Sequence, residues 1–142
     1  MVAELAAVVA LIVPQHGIHG VNLSMSHRAV TNRLGKETQV KHIDAGAGPE
    51  QLAIFPHLRV WFGPGMNVIQ IETTSAVDRT ASGVGVGSTE AQLRAGVRGL
   101  ACATESGIRH CHLGTYTAGH VVTDFFVRWG RVYRVVVGRV LD

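Results

Sequence analysis

The chain has 142 residues, a net charge of +3 and 17 glycines, and only 16% of its residues are charged. This composition is too apolar for an intrinsically disordered chain, and the lack of any run of Lys or Arg argues against a partner made of nucleic acid. The length is that of one domain or of two very small ones.

The first element in chain order is an apolar stretch of nine residues, 5–13, which ends at Pro14. It is too short to span a bilayer, which needs about 20 residues, but it suits the apolar core of a secretory signal. A basic start and an Ala-x-Ala cleavage site are both missing. We predict that residues 1–15 are a signal-peptide remnant and that the chain has no stable membrane span. An N-terminal helix or strand packed on the body is the alternative.

The chain then contains an internal repeat. Residues 83–93 have the same pattern of apolar, polar and glycine residues as residues 20–30, which lie 63 positions earlier. Each copy alternates apolar and polar residues and then begins a short helix at a Ser or Thr cap, for which the candidates are Ser24, Ser26 and Thr89. A glycine ends each helix. A fixed internal period of this kind indicates two copies of one structural unit.

Four strand-like runs follow each helix. They alternate apolar and polar residues or are bounded by Gly and Pro, as strands in antiparallel hairpins are. The runs are 38–43, 52–55, 58–62, 68–73, 100–104, 109–114, 121–128 and 132–138. Residues 44–49 are predicted to be a loop and residues 83–88 to lead into a strand. We predict an α+β fold of two tandem helix-plus-antiparallel-sheet repeats packed together, in residues 16–77 and 78–142.

Cys102 and Cys111 flank an eight-residue segment that has the pattern of a hairpin. Across a hairpin of that size the two cysteines lie close to opposite each other, within the distance that a disulfide spans. Because disulfides persist in oxidising compartments, we predict this bond and a secreted or cell-envelope protein. Two free, buried thiols in a cytosolic protein are the alternative.

Strand alternation also assigns side chains to the two faces of the sheets. One face is apolar, includes Ile69 and Tyr133, and is expected to receive the helices. The other mixes aromatic rings with arginines and acids, and we interpret it as an exposed protein-binding surface because Trp, Tyr and Arg dominate binding hot spots. Cross-strand pairs that only stabilise the sheet are the alternative. The predicted surface comprises Arg59, Trp61, Gln70, Glu72, Asp124, Phe126, Arg128 and Arg134.

Catalytic and metal-binding patterns are weak. His110 and His112 share one strand face and, with His120, are the candidates for a metal site, a small-ligand site or an enzyme; surface histidines are the alternative. Cys111 points away from both neighbouring histidines, so neither activates it easily. Residues 83–88 resemble a phosphate loop but lack its Lys. We predict no enzyme activity, no cofactor and no metal.

The leading functional hypothesis is a secreted, non-enzymatic module that binds another protein, as an inhibitor or an envelope interaction protein would. A second is a ligand-binding or metal-binding protein or an enzyme that uses the three histidines named above. A third is a structural envelope protein that self-associates through Phe126, Trp129 and Tyr133.

The two openings resemble those of the β-lactamase inhibitor protein family and of small outer-membrane-assembly lipoproteins. Residues 23–30 and 86–93 match the opening of the family's modules, and Cys102 and Cys111 match its bridged hairpin. The resemblance covers residues 16–142 at the level of pattern and implies tandem modules and secretion. The first repeat has no Cys, and no inhibitory residue is carried over, so the resemblance implies no target.

Overall fold

The computed structural model of the protein describes residues 11–45 and 48–141. Of these residues, 48% lie in strands and 12% in helices, which makes the protein mainly β. The strands are β1 (Ile12–Val13), β2 (Gly17–Ile18), β3 (Val21–Asn22), β4 (Gln39–Ala45), β5 (Gly48–Ile54), β6 (Leu58–Phe62), β7 (Val68–Thr73), β8 (Ala101–Glu105), β9 (Ile108–Leu113), β10 (Val121–Arg128) and β11 (Arg131–Arg139). The helices are α1 (His27–Leu34) and α2 (Glu90–Gly96).

Eight strands form one continuous antiparallel sheet, in the order β4-β5-β6-β7-β11-β10-β9-β8. At its centre β7 pairs directly with β11, and Ile71 lies opposite Val137. The predicted α+β fold of two tandem helix-plus-antiparallel-sheet repeats packed together is therefore wrong. Pairing between distant strands depends on side-chain packing in the finished sheet, which local sequence patterns do not report.

The two helices start against the turns of hairpins in the same way. In α1 the N–H of His27 donates to the carbonyl of Met66 at 2.9 Å, and in α2 the N–H of Glu90 donates to the carbonyl of Gly130 at 3.1 Å. These bonds occupy N–H groups that the first turn of a helix leaves without an internal partner. The internal repeat in the sequence thus corresponds to two similar local contacts on a single sheet.

Side-chain caps complete both helix starts. The Oγ of Ser26, one of the predicted caps, accepts the N–H of Ala29 at 3.1 Å. Thr89 and Gln92 form a reciprocal capping box, in which each side chain accepts the backbone N–H of the other residue at 3.1 and 2.9 Å. Caps of this kind contribute about 1 kcal/mol each, which matters for helices as short as these.

One face of the large sheet is covered by the two helices and by a small sheet of β1, β2 and β3. Val30 of α1, Leu93 of α2 and Ile12 of β1 are buried there. The core residues that the large sheet contributes include Val60, Phe62, Ile71, Phe125, Val135 and Val137. No described helix or strand packs on the opposite face, which we call the open face.

Most predicted strands are observed with small shifts, but two connecting segments differ. The predicted loop 44–49 is mostly strand, since β4 continues to Ala45 and β5 begins at Gly48; residues 46 and 47 lie outside the described residues. The predicted strand entry 83–88 is a series of turns with one isolated bridge, from Arg79 to Gly85. The guanidinium group of Arg79 holds it by hydrogen bonds to Gly83, Val86 and Ser88.

Residues 1–10 of the predicted signal-peptide remnant, which spans residues 1–15, lie outside the described residues. From Leu11 onward the segment packs on the body of the protein. The N–H groups of Leu11 and Ile12 both donate to the carbonyl of Arg79 at 2.9 Å, and the side chain of Ile12 is buried. A folded body that began at His16 would lack these contacts. Neither helix of the described chain has the length and hydropathy needed to cross a membrane.

The predicted disulfide is confirmed. Cys102 of β8 and Cys111 of β9 lie directly opposite each other, with their Cα atoms 4.0 Å apart, and their sulfur atoms are bonded. Cys111 is fully buried, and its register partner in the neighbouring strand β10 is Phe125. The bond therefore fastens the edge strand β8 to the core side of the sheet.

Glu90 ties the start of α2 to β9. Its two carboxylate oxygens accept from Nε and Nη2 of Arg109 at 2.8 and 3.1 Å, a bidentate arrangement. This hydrogen bonding holds the pKa of Glu90 below its usual range. The charge also lies in the first turn of a helix, where a carboxylate is favourable.

Replacing Glu90 with Gln is expected to lower the urea midpoint of unfolding at neutral pH. Because the pKa of Glu90 is lower in the folded than in the unfolded state, the carboxylate stabilises the fold above its ordinary pKa of 4.5, and this stabilisation is lost as the pH falls through the folded value. The difference between wild type and Glu90→Gln should therefore shrink as the pH falls below 4.5. Urea titrations at a series of pH values from 7 down to 2 test this, and a difference that does not shrink as the pH falls below 4.5 would contradict it.

Candidate binding face

The open face gathers side chains from the four central strands, β6, β7, β11 and β10. A groove of about 490 Å³ runs across it, and its lining includes six of the predicted residues: Trp61, Gln70, Glu72, Asp124, Phe126 and Arg134. The other two lie on the same face beside the groove. Arg59 is directly opposite Glu72, and Arg128 lies over the ring of Tyr133. That these residues bind a protein stays a prediction.

Two of the predicted residues are buried. Glu72 and Asp124 are only 7% and 8% accessible. Glu72 lies opposite Arg59, and its carboxylate is 3.5 Å from Nη1 of Arg134. Burying a carboxylate is costly unless opposite charge or hydrogen bonds offset the lost hydration. These acids therefore form the floor of the groove and support the side chains above them.

Two β-bulges change which side chains face the groove. Where β6 pairs with β7, a bulge turns Ile69 toward the groove and leaves Val68 in the core. Where β10 pairs with β11, another turns Tyr133 toward Phe126 and leaves Val132 in the core. The prediction that Ile69 and Tyr133 belong to the covered face is therefore wrong, because an inserted residue resets the alternation of the strand.

A row of aromatic rings and guanidinium groups runs from the β10–β11 turn into the groove. Arg128 lies 4.9 Å from the ring centroid of Trp129 and 4.4 Å from that of Tyr133. The ring of Tyr133 is 6.3 Å from that of Phe126, over which Arg134 lies at 3.9 Å. Each cation is attracted by the face of its ring, which restricts its motion. We call these five residues the aromatic ladder.

A polar cluster borders the groove on the β9 side. Buried His110 has the carboxylate of Asp124 at 3.0 Å from Nδ1 and that of Glu105 at 3.3 Å from Nε2. Tyr116, from the loop between β9 and β10, donates its hydroxyl hydrogen to Asp124. Burial and this hydrogen bond raise the pKa of Tyr116 far above its usual range, so the phenol stays a donor at neutral pH. The cluster thus holds the Tyr116 loop against the open face.

The three candidate histidines are only partly brought together. The rings of His110 and His112 stack with their centroids 5.5 Å apart, but His120 bonds to the hydroxyl of Thr115 at 3.1 Å. Within residues 11–45 and 48–141, no three His, Cys, Asp or Glu side chains are grouped so that they could hold a metal ion. Carboxylates lie beside both ring nitrogens of His110, so this arrangement positions the ring.

Three aromatic residues of this face are missing from the predicted surface. Alternation assigned Tyr133 to the other face because the bulge is not visible in the sequence. Tyr116 belongs to a loop and reaches the face through its hydrogen bond to Asp124. Trp129 is 90% exposed at the two-residue turn between β10 and β11. A Trp-Gly pair between two strand-like runs was the available signal, because such a pair fits a two-residue hairpin turn and turns lie on the protein surface.

No protein-family model matches the chain, and no curated protein matches it. The fold is similar to the crystal structure of a DUF4309 family protein, YjgB, from Bacillus subtilis, with a TM-score of 0.52 and 10% identity. The match covers 92% of this chain and 88% of that one. At this identity the likeness shows the fold alone. It does not bear on β-lactamase inhibitor modules, so that resemblance stays a prediction.

Proposed function

We propose that the protein is an exported, non-enzymatic module that binds another protein on the open face of its sheet. The aromatic ladder is the observation that carries this proposal. Beside Trp61 of the groove it presents a Tyr and two Arg in a continuous row, and Trp, Tyr and Arg are the residue types that dominate binding hot spots. Its arginines are already held over rings, so they lose less conformational freedom when a partner binds.

The charges of the face favour a protein over a polyanion. Arg59 and Arg134 lie beside Glu72, and Asp124 adds a second negative charge, so the groove carries both signs of charge. A nucleic-acid site would instead present a stripe of cations that neutralises successive phosphates. The disulfide supports an exported protein, since such bonds persist outside the reducing cytosol.

Substitution of Trp61 or Tyr133 by Ala is expected to weaken partner binding about 30-fold or more while changing the melting temperature little. This magnitude is that of a hot-spot side chain, about 2 kcal/mol. Arg28→Ala, on the exposed surface of α1 and away from the open face, is the matched control and should bind normally.

The partner is first isolated by immobilising the protein and capturing secreted proteins, and the purified partner is then titrated against each variant by calorimetry. A partner that binds Trp61→Ala and Tyr133→Ala as tightly as wild type would contradict the open-face proposal. If the melting temperature of each variant falls together with its affinity for the partner, these residues only stabilise the sheet.

Self-association through Phe126, Trp129 and Tyr133 is a second candidate, because the ladder places all three side chains along one stripe. Sedimentation equilibrium at increasing protein concentration distinguishes it. A dimer that Tyr133→Ala dissociates would identify the partner as a second copy of the chain, whereas a monomer at high concentration excludes this candidate.

A further inference from the structure

One end of the large sheet carries the turns of two neighbouring hairpins, β8–β9 and β10–β11. Arg109 pairs with Val127 at the last register position between β9 and β10, so the turns beyond them lie side by side. Trp129 in one turn is 90% exposed, and Ile108 beside the other is 50% exposed. We call this end of the sheet the hairpin tip.

The backbone conformation of the β10–β11 turn is unfavourable for Trp129. Trp129 has φ 52° and Gly130 has φ 74°, the left-handed values that a two-residue turn requires. Asn, Asp or Gly usually occupies the first of these positions, because a bulky side chain is strained there. Trp129 therefore combines backbone strain with an exposed apolar ring. An outlier of this kind points to a role for the side chain outside the fold.

The tip is also positively charged. The guanidinium group of Arg128 lies over the indole of Trp129, and that of Arg131 bonds the carbonyl of Gly87 at 2.8 Å. Glu90 is shared between two arginines at 2.8 and 3.5 Å. Near the two turns four arginines outnumber two acids: Arg94, Arg109, Arg128 and Arg131 against Glu90 and Glu105.

We infer that the hairpin tip associates reversibly with membrane surfaces that carry anionic lipids. Trp129 and Ile108 enter the headgroup region, and the arginines contact lipid phosphates. An indole suits this region because its body is apolar and its N–H remains near water. A small apolar contact anchors weakly by itself, and a basic patch supplies the second signal.

A lipid surface fits the shape of the tip better than a protein does. Hot-spot side chains of protein interfaces are surrounded by a rim of contacts that excludes water, whereas Trp129 projects from a narrow convex turn. A headgroup layer adapts to such a projection. The tip shares Arg128 and Trp129 with the outer end of the aromatic ladder. Trp61, Phe126 and Arg134 of the groove lie outside the tip, so either proposal can fail without the other.

Trp129 itself supplies the measurement. In a Trp61→Phe background it is the single tryptophan, and its emission is followed as vesicles are added at physiological ionic strength. With phosphatidylcholine vesicles containing phosphatidylglycerol we expect a blue shift, and with phosphatidylcholine alone we expect none. Arg128→Gln should weaken partitioning about fivefold, the factor that corresponds to ~1 kcal/mol per Arg near an anionic surface. Arg139→Gln removes the same charge at the far end of β11 and should leave partitioning unchanged.

Several results would overturn the inference: no shift with anionic vesicles, an equal shift with neutral ones, or equal partitioning of the Arg128→Gln and Arg139→Gln variants. If soluble polyglutamate shifts the emission of Trp129 as strongly as vesicles do, the partner of the tip is an acidic protein instead.

The Trp129→Asn variant gives a second test. Asn suits the first position of this turn, so the substitution should raise the melting temperature and abolish co-sedimentation with anionic vesicles. A lowered melting temperature would show that Trp129 serves the fold.

Discussion

A chain that begins at His16 is expected to unfold at a far lower urea concentration than a chain that begins at Leu11. The shorter chain lacks Ile12, which is 1% exposed in the core, and loss of a buried side chain of this size costs about 2–5 kcal/mol. It also lacks the two N–H groups that donate to the carbonyl of Arg79. Because domains are stable by only about 5–15 kcal/mol in total, this loss is a large fraction of the stability.

Gln15 adds a second reason. Its side chain donates to the carbonyl of Val121 at 2.9 Å and accepts from the hydroxyl of Thr123 at 2.8 Å, which links the segment to β10. Urea unfolding followed by circular dichroism measures the difference between the two chains, and Gln15→Ala in the longer chain separates this link from the burial of Ile12. Equal midpoints for the two chains would show that residues 11–15 are dispensable and that the folded body begins at His16.

Replacing both Cys102 and Cys111 with Ala is expected to lower the free energy of unfolding by about 2–3 kcal/mol. The two residues are nine positions apart, and closing a loop of this length restricts the unfolded chain by about that amount. The expected loss is concentrated at β8, an edge strand that has one neighbour, β9. Chemical denaturation of the double variant, and of the wild type with and without a reducing agent, measures it.

Thr104→Ala is the matched control, because Thr104 is an exposed residue of the same edge strand. It should change the midpoint little. Amide hydrogen exchange extends the test, since strands β8 and β9 of the double variant should exchange faster while β6 and β7 keep their protection. Wild-type stability that is unchanged by reduction would contradict a contribution of the disulfide to the fold.

Features that depend on near neighbours were predictable from the sequence. β6, β7 and β10 have the bounds that alternation and turn residues predicted. The disulfide was also predictable, because both cysteines belong to one hairpin whose register follows from its turn. Helix caps are equally local, since Ser26 and Thr89 bond groups within three residues.

The candidate binding face was predicted in part. Alternation identified Trp61 and Phe126 correctly as residues of the open face. It misplaced Ile69 and Tyr133, because a bulge is a property of two paired strands and is not visible in either one alone. It also treated Asp124 as exposed, whereas contacts with a loop and with a neighbouring strand bury it.

The sequence by itself determined most strands of the large sheet, where the helices begin and which cysteines join, because these features depend on interactions between residues close along the chain. Only the tertiary structure decided that β7 and β11 meet in one continuous sheet, that none of the described helices or strands covers one face of it, and that the aromatic ladder runs along that face. These features depend on which distant strands lie side by side. That choice follows from burial of the whole core, to which each local segment contributes only a small part.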